Sequence, residues 1–465
     1  MSFETAYYAI EWIIRLGALV VVPLRRTPAA SRGWLLLIFF LPVPGLLLFL
    51  AIGRPRFPAW RVARFRTLRP FFDATTTRLQ ATAPSRPHDA EAITALARGL
   101  GRLPAVTGNR IELIDDYDAV IDRLVADIDA ARHHVRLLVY IFANDATGAK
   151  VIAALRRAVA RGVICQVMID PVGSYQWIRK TTRALRSAGV EVREALPFRI
   201  LRGRTRRDMR NHRKLFVIDG TIGFAGSQNI VARDFRPGVV NRELVARVTG
   251  PVVAEMEAVV RADWYLETET MPVDDLVIPQ ATGTACAQLL PSGPEYPLEG
   301  FETLLVWQLH QARDRVMIAT PYFIPDEDVR GAMRTAVARG VTIDLIVSAV
   351  VDQPLVNLAQ SSYYDDLLRA GVRIHLFRDE LLHAKNVSFD QSLAIIGSSN
   401  VDLRSFQLND EVSLLLLDPD SLAAVTALQR GYLEHSDPLD IDQWRRRSAP
   451  RKLLENIARL VGPLL

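Results

Sequence analysis

The chain has 465 residues, 49% of them hydrophobic and 23% charged, which is enough for two ordinary cores and excludes a disordered chain. Its net charge of +6 suits an acidic partner (phosphate, anionic lipid or nucleic acid) without choosing among them. The only cysteines, Cys165 and Cys286, stand in separate apolar stretches, which excludes a disulfide framework and a cysteine-rich zinc site and predicts two buried thiols.

Residues 1–60 read as a membrane anchor of one or two transmembrane segments. The run "WLLLIFFLPVPGLLLFLAI", Trp34 to Ile52, carries no charge; as a helix it would be about 28 Å long, close to a bilayer core of about 30 Å. Pro42, Pro44 and Gly45 would kink it, so a re-entrant hairpin is the alternative. The earlier stretch from Ala6 to Leu24 contains Glu11 and Arg15, four apart and able to pair, and either spans or packs in the interface. No positive n-region or cleavage site points to a removed signal peptide. Arg25, Arg26 and Arg32 lie between the two stretches, and Arg54, Arg56, Arg61, Arg64, Arg66 and Arg69 beyond the second, a bias that places the catalytic body on the cytoplasmic side of a multi-pass protein. Residues 61–102 then read as a basic linker.

From residue 103 the chain contains itself twice. Strand-like "VRLLVYIF" (Val135 to Phe142) and "RVMIATPYFI" (Arg315 to Ile324) are each followed by an amphipathic stretch ending in "AVARGV", at Ala158 to Val163 and Ala336 to Val341. In the first copy Val151, Ile152, Leu155 and Val159 share one helical face, and Gly162 stands where a helix ends. A further strand, helix and strand follow in both copies. The expected fold is therefore α/β, with two similar domains at 103–270 and 288–440, each a mixed sheet flanked by helices, joined by a linker at 271–287 and related by a pseudo-twofold axis. Residues 441–465 predict a basic amphipathic C-terminal helix.

The repeat extends to chemistry. "HRKLFVIDGTIGFAGSQN" (His212 to Asn229) and "HAKNVSFDQSLAIIGSSN" (His383 to Asn400) share His212 and His383, Lys214 and Lys385, Asp219 and Asp390, Gly226 and Gly397, Ser227 and Ser398, and Asn229 and Asn400. Six fixed identities arise by chance at roughly one start in tens of millions. Residues two apart on a strand face the same way, so each His–Lys pair shares a face, and a pseudo-twofold packing would bring both pairs into one cleft.

Two imidazoles and two ammonium groups make a site for negative oxygens. Each lysine can hold a non-bridging phosphoryl oxygen, with Asn229, Asn400, Ser227 and Ser398 as neutral donors. One neutral histidine can attack phosphorus, forming a phosphohistidine, and the other, protonated, can give its proton to the departing alkoxide. A second alcohol then attacks the intermediate: water gives hydrolysis, a lipid alcohol gives transfer. The histidines need an acceptor at Nδ1, and the candidates are Glu243 and Glu411, 31 and 28 residues after the histidines of their own copies. Asp219 and Asp390 belong to the catalytic motif, but before a turn aspartate also fixes the turn or a lysine, and that role is the main one expected of them. Gly226 and Gly397 are expected where backbones approach closely. Neither metal nor cofactor is implied, because acidic residues do not cluster at ligand spacings and the lysines fill a cation's place.

Two copies of H-x-K-x4-D, each followed by G-S-x-N, resemble the phospholipase D superfamily. With "FLPVPGLLLFLAIGR", "LPAVTGNRIELI", "LLPSGPEYP", "TPYFIPDEDV" and "GSSNVDLRSFQLNDEV", the chain is similar over nearly its whole length to the bacterial cardiolipin synthase branch. That resemblance implies transfer of a phosphatidyl group between two phosphatidylglycerol molecules, giving cardiolipin and glycerol at the inner membrane, with His212 as nucleophile and His383 as acid. A membrane-bound phospholipase D, or transfer to another alcohol, is the alternative. A nuclease fits an anchored chain poorly, so no nucleic acid is expected, and two intact motifs count against a non-enzymatic scaffold. Anionic membrane lipids would also account for Arg199, Arg202, Arg204, Arg206, Arg207, Arg210 and Arg213 ahead of the first motif. At the C-terminus Leu453, Leu454, Ile457, Leu460, Val461 and Leu464 keep helical spacing beside six cations, predicting a helix that either lies in the membrane interface or caps the core.

Overall fold

The computed structural model describes residues 3–26, 28–53, 57–82, 90–197 and 208–460. Two compact units result, one from residues 1–58 and 198–209, the other from 59–197 and 210–465. In the first, α1 (Phe3–Val21), α2 (Pro28–Phe40) and α3 (Pro42–Ile52) pack around Ala18, Val22, Ile38 and Phe49. Arg15 donates to Glu11 at 3.1 Å, as the four-residue spacing predicted. The uncharged run is not one helix: it breaks at Leu41, because Pro42 lacks the N–H an interior turn needs. Gly45 lets α3 fold back on α2, since a Cβ there would lie 2.9 Å from Ile38 Cα. The run from Trp34 to Ile52 thus takes the hairpin form that was its alternative to a single span, and among the described residues no helix, α1 included, is long and apolar enough to cross a membrane. Arg54 and Arg56 lie outside the described residues.

The second unit is built on strands. Its first half carries β1 (Val106–Ile114), β2 (His134–Val139), β3 (Ile164–Ile169), β4 (Glu191–Glu194), β5 (Leu215–Ile218), β6 (Ile222–Gly226), β7 (Asn241–Arg242) and β8 (Val245–Thr249). The second half carries β9 (Ala285–Ser292), β10 (Arg315–Ala319), β11 (Phe323–Ile324), β12 (Thr342–Ser348), β13 (Arg373–Phe377), β14 (Leu381–Leu382), β15 (Asn386–Phe389), β16 (Leu393–Gly397), β17 (Val401–Asp402), β18 (Glu411–Leu416) and β19 (Ser436–Pro438). Fifteen of them form one sheet, β19-β13-β12-β10-β15-β16-β18-β9-β1-β8-β6-β5-β2-β3-β4. Outward from the centre the two halves repeat the same order, so the pseudo-twofold axis passes between β9 and β1. The sheets expected to be separate are continuous because β1 pairs antiparallel with β9, which leaves neither half an open edge at the axis.

Repeated sequence makes repeated structure. Helices Ala146–Ala160 and Glu327–Ala338 carry the strand crossovers, with Val151 and Leu155 fully buried, and Gly162 and Gly340 follow them at φ +89° and +94°. Both cysteines are buried free thiols. Residues 61–102 are not a loose linker: among those described, helices Ala59–Thr67, Arg69–Thr82 and Glu91–Gly101 bury Phe65, Phe72 and Leu79. Arg61, 1% exposed, pairs with Glu267 at 2.5 Å and Glu295 at 2.7 Å, so a cation expected to flank a membrane segment serves the core instead. Within 271–287, Asp274 and Leu276 pack onto the fold. The C-terminal helix Ala449–Leu460 buries Ala458 and lays Arg459 over the Tyr363 ring at 4.5 Å, yet leaves Leu453, Leu454, Ile457 and Leu460 exposed. It is therefore both a cap and an exposed apolar face; Val461 and Leu464 lie outside the described residues.

The aspartates of both motifs lie at the far ends of their strands. Asp219 (φ +51°) accepts the backbone N–H of Arg132, His133 and His134, and Asp390 (φ +49°) those of Arg313, Asp314 and Arg315. Each pins the turn after its motif strand to the start of the neighbouring strand, and neither borders the cleft described below. Gly226 and Gly397 allow close approach: a Cβ on Gly397 would meet Val412 O at 2.2 Å. Gly397→Ala is expected to cost about 1–3 kcal/mol in denaturant melts, and wild-type stability in that variant would contradict the contact.

Candidate active site

Each histidine enters the cleft directly after a short pairing with the other half. Asn211 bridges Asp410 in parallel, His212 N–H donates to Asp410 O at 2.8 Å, and the next residues along are His212 and Glu411. Across the axis β14 pairs with β7, Leu382 opposite Arg242, which sets His383 beside Glu243. His212 Nδ1 therefore meets Glu411 at 2.9 and 3.1 Å, and His383 Nδ1 meets Glu243 at 2.7 Å. Both expected orienting carboxylates are engaged, but exchanged: each half supplies the acceptor for the other half's histidine. With a carboxylate at Nδ1, that nitrogen carries the proton and Nε2 keeps its lone pair.

The supporting polar groups divide. Ser398 Oγ donates to Glu411 Oε2 at 2.5 Å and accepts Val412 N–H at 3.0 Å; Ser227 donates to Leu244 O at 3.2 Å and accepts Leu244 N–H at 3.0 Å. Both serines are fully buried, so they brace the glutamate-bearing strands instead of offering donors to a ligand. Asn229 and Asn400 do line the cleft, and Asn229 Oδ1 accepts Ile141 N–H at 3.0 Å. The lysine ammonium groups donate to the carbonyls of His212 and His383, both at 2.7 Å, and Lys385 also reaches His383 Nε2 at 3.2 Å. The cleft holds about 1040 Å³, counting its open mouth, and is bordered by His212, His383, Asn229, Asn400, Tyr140 and Tyr322 among others.

Burial dominates the electrostatics. It pulls His212 and His383 down to about 4 each, against the glutamates that favour the charged ring. Burial, reinforced by mutual repulsion, lowers Lys214 to about 7; burial likewise lowers Lys385 to about 8. Burial opposes ionisation of Glu243 and Glu411, yet their histidine partners, the lysines and the nearby serines hold both carboxyls below the usual range. Without an anion both imidazoles are thus neutral, where the sequence suggested one charged ring. An arriving phosphate restores the missing countercharge, so inorganic phosphate or tungstate should bind with proton uptake at pH 8. Calorimetric heats that do not change with buffer ionisation enthalpy would refute this. At the two histidines and two lysines the unfolded chain binds more protons than the fold between each lowered value and the ordinary one, so their own contribution to stability rises with pH from about 4 to 6.5 and again above about 7. Glu255 and Asp410, whose carboxyls burial pushes up, work the other way. Melts of His212→Ala and Lys214→Met against wild type across pH isolate the site's share.

Several cleft residues lie outside the doubled motif. The Tyr140 ring stands edge-on to His212 at 4.7 Å and Tyr322 to His383 at 6.3 Å. Tyr322 donates to Asp352 at 2.6 Å, and Asp352 is also paired with Arg236. Asn409 Nδ2 donates to Glu411 Oε1 at 3.2 Å, and Arg404 borders the cleft. The signal available for the tyrosines was an aromatic just after a buried strand in both copies. Of the arginines ahead of the first motif, Arg199, Arg202, Arg204, Arg206 and Arg207 lie outside the described residues. Arg210 and Arg213 are buried; Arg213 pairs with Asp263 at 2.5 Å, so neither supplies a headgroup surface.

Comparison with known proteins agrees with this geometry. A family model described as "Cardiolipin synthase, PLD-like domain" matches residues 124–264 and 305–430. Two relatives, each named cardiolipin synthase A, are from Erwinia tasmaniensis (32% identical) and Serratia proteamaculans (33% identical); both alignments cover 99% of this chain and 100% of the relative. A solved phosphatidylserine synthase from Haemophilus influenzae shares the fold at 14% identity and TM-score 0.58, over 81% of this chain and 100% of that one. With the paired histidines and glutamates, the doubled sheet and these full-length matches in accord, the chain belongs to the cardiolipin synthase family of phospholipase D-like proteins.

Proposed function

We propose that the chain is a phosphatidyltransferase that makes cardiolipin and glycerol from two phosphatidylglycerol molecules. The observation that carries the chemistry is that His212 and His383, buried and half-buried, border one cleft, each held at Nδ1 by a carboxylate of the other half, which leaves its Nε2 as the nitrogen free for chemistry. His212 Nε2 attacks phosphorus as His383, protonated once the anionic phosphate is bound, gives its proton to the departing glycerol oxygen. This order is favoured because Lys385 occupies the lone pair of His383, whereas no hydrogen bond among the described residues engages His212 Nε2. A hydroxyl of the second phosphatidylglycerol then loses its proton to His383 and displaces His212 from phosphorus. Lys214 and Lys385 balance the equatorial oxygens, and Asn229 and Asn400 donate from the walls.

A lipid substrate requires access to a bilayer, in a bacterium the cell's inner membrane, with the catalytic body on its cytoplasmic side. Helices α2 and α3, about 20 and 17 Å long, suit insertion as a hairpin more than two separate crossings. On the catalytic unit Tyr175, Val172, Val351 and Leu355 are exposed, the last two beside the cleft residues Gln353 and Val356, and the C-terminal helix exposes four more aliphatic side chains.

The test is purified protein in detergent, given phosphatidylglycerol alone with a chelator present. Cardiolipin and glycerol are expected in equal amounts. Release of phosphatidic acid alone would instead identify a phospholipase D, and product only when another alcohol is added would identify a different acceptor.

A further inference from the structure

Away from the cleft, a second group of side chains has no role in phosphatidyl transfer. Carboxylate oxygens of Glu302, Asp326 and Asp328 lie within 4.8 Å of one another, and none of the three borders the cleft. Asp326 caps helix Glu327–Ala338, and acidic residues in a first turn are ordinary there. Glu302 is different: it comes from another helix, Gly300–Gln311, it is 8% exposed, and its Oε2 is buried with no hydrogen-bond donor. The nearest arginine in the chain, Arg330, is paired with Glu327 and Asp366, and among the described residues no arginine or lysine is ion-paired with any of the three.

The fold itself does not ask for this carboxylate. Asp390 holds the N–H groups of residues 313–315 as Asp219 holds those of residues 132–134, and that register places Asp326 on Asp145, the matching helix cap. It places Glu302 on Ile121, which is 1% exposed in an apolar cluster. A buried glutamate beside two aspartates therefore replaces a core isoleucine in one half only, at a cost, in desolvation and in either like-charge repulsion or a proton kept between Glu302 and Asp326, that a cation would remove.

We infer that Glu302, Asp326 and Asp328 bind one hard divalent cation, calcium or magnesium. Oxygen donors at these separations suit such an ion, and exposed Asp328 leaves room for water to complete the coordination. The ion ties helix Gly300–Gln311 to the turn after β11, whose neighbours Tyr322 and Ile324 form part of the cleft wall beside His383. It stabilises that wall without entering the chemistry: the reacting phosphate stays with the lysines, so transfer in chelator still proceeds.

The experiment is calorimetric titration of the chelator-treated full-length protein in detergent with calcium chloride and, separately, magnesium chloride, alongside thermal unfolding. One ion should bind per chain and raise the unfolding midpoint. Glu302→Ile, which copies the first half, should abolish both effects while unfolding no earlier than the chelated wild type. Asp328→Asn, at an exposed position that keeps the fold, should weaken binding about tenfold or more. A wild type that binds neither ion, or binding that neither variant weakens, overturns the assignment and leaves carboxyls sharing a proton.

Discussion

Cardiolipin formation should fall by at least about 10⁴-fold in His212→Ala, which removes the nucleophile, and by about 10²–10⁴-fold in His383→Ala, which removes a proton donor and acceptor. The two losses can be told apart with a phosphatidyl ester whose leaving group needs no proton, such as a p-nitrophenyl ester labelled in the lipid. In His383→Ala the first displacement then proceeds and the second stalls for want of a base, so labelled protein accumulates. In His212→Ala no label attaches. Circular dichroism should show both variants folded, since each alanine leaves the paired strands and their backbone hydrogen bonds in place. Label on His212→Ala and none on His383→Ala would reverse the roles; turnover surviving in both would end the phosphohistidine reading.

The motif histidines and lysines were legible because the chain states them twice. The shared face expected of each pair rested on strand alternation, whereas both pairs precede their strands, the histidines border the cleft, and the lysine ammonium groups turn back onto the histidine carbonyls. The aspartates were legible in part, since a residue before a turn announces its turn but not the three N–H groups of the strand it captures. The serines were legible only as binding or supporting groups, because a hydroxyl beside the motif gives no sign of whether it faces a ligand or a glutamate. Pairing of each histidine with the far glutamate was invisible, because it depends on two short inter-half bridges at Asn211 and Leu382, too brief to leave a hydrophobic period. Trp34 to Ile52 was legible only as two alternatives: uncharged residues set the hydropathy of a span, and a prolyl nitrogen decides for the hairpin by setting where the helix ends. Glu302 escaped because its partners lie 24 and 26 residues away and meet it only through helix packing.

Glu411→Gln should disable His212, although the two lie 199 residues apart and in different halves. The carboxylate fixes the proton on Nδ1, presents Nε2 to phosphorus and stabilises the positive charge the ring acquires when it is phosphorylated; a neutral amide can keep the hydrogen bond but not that charge interaction. By analogy with other carboxylate-oriented histidines the loss is about 10²–10⁴-fold. With the activated ester, Glu411→Gln should slow labelling of the protein, whereas Glu243→Gln should leave labelling near wild type and slow release of the label to the acceptor alcohol, because Glu243 serves His383. Pairing within each half requires the opposite pattern, with Glu243→Gln slowing labelling and Glu411→Gln sparing it. Measuring both rates in both variants therefore decides between exchanged and internal pairing without relying on total activity, which either substitution lowers. Exchanged pairing also means that neither half holds a complete histidine site, so the continuous sheet through β9 and β1 sets the catalytic geometry as well as the fold.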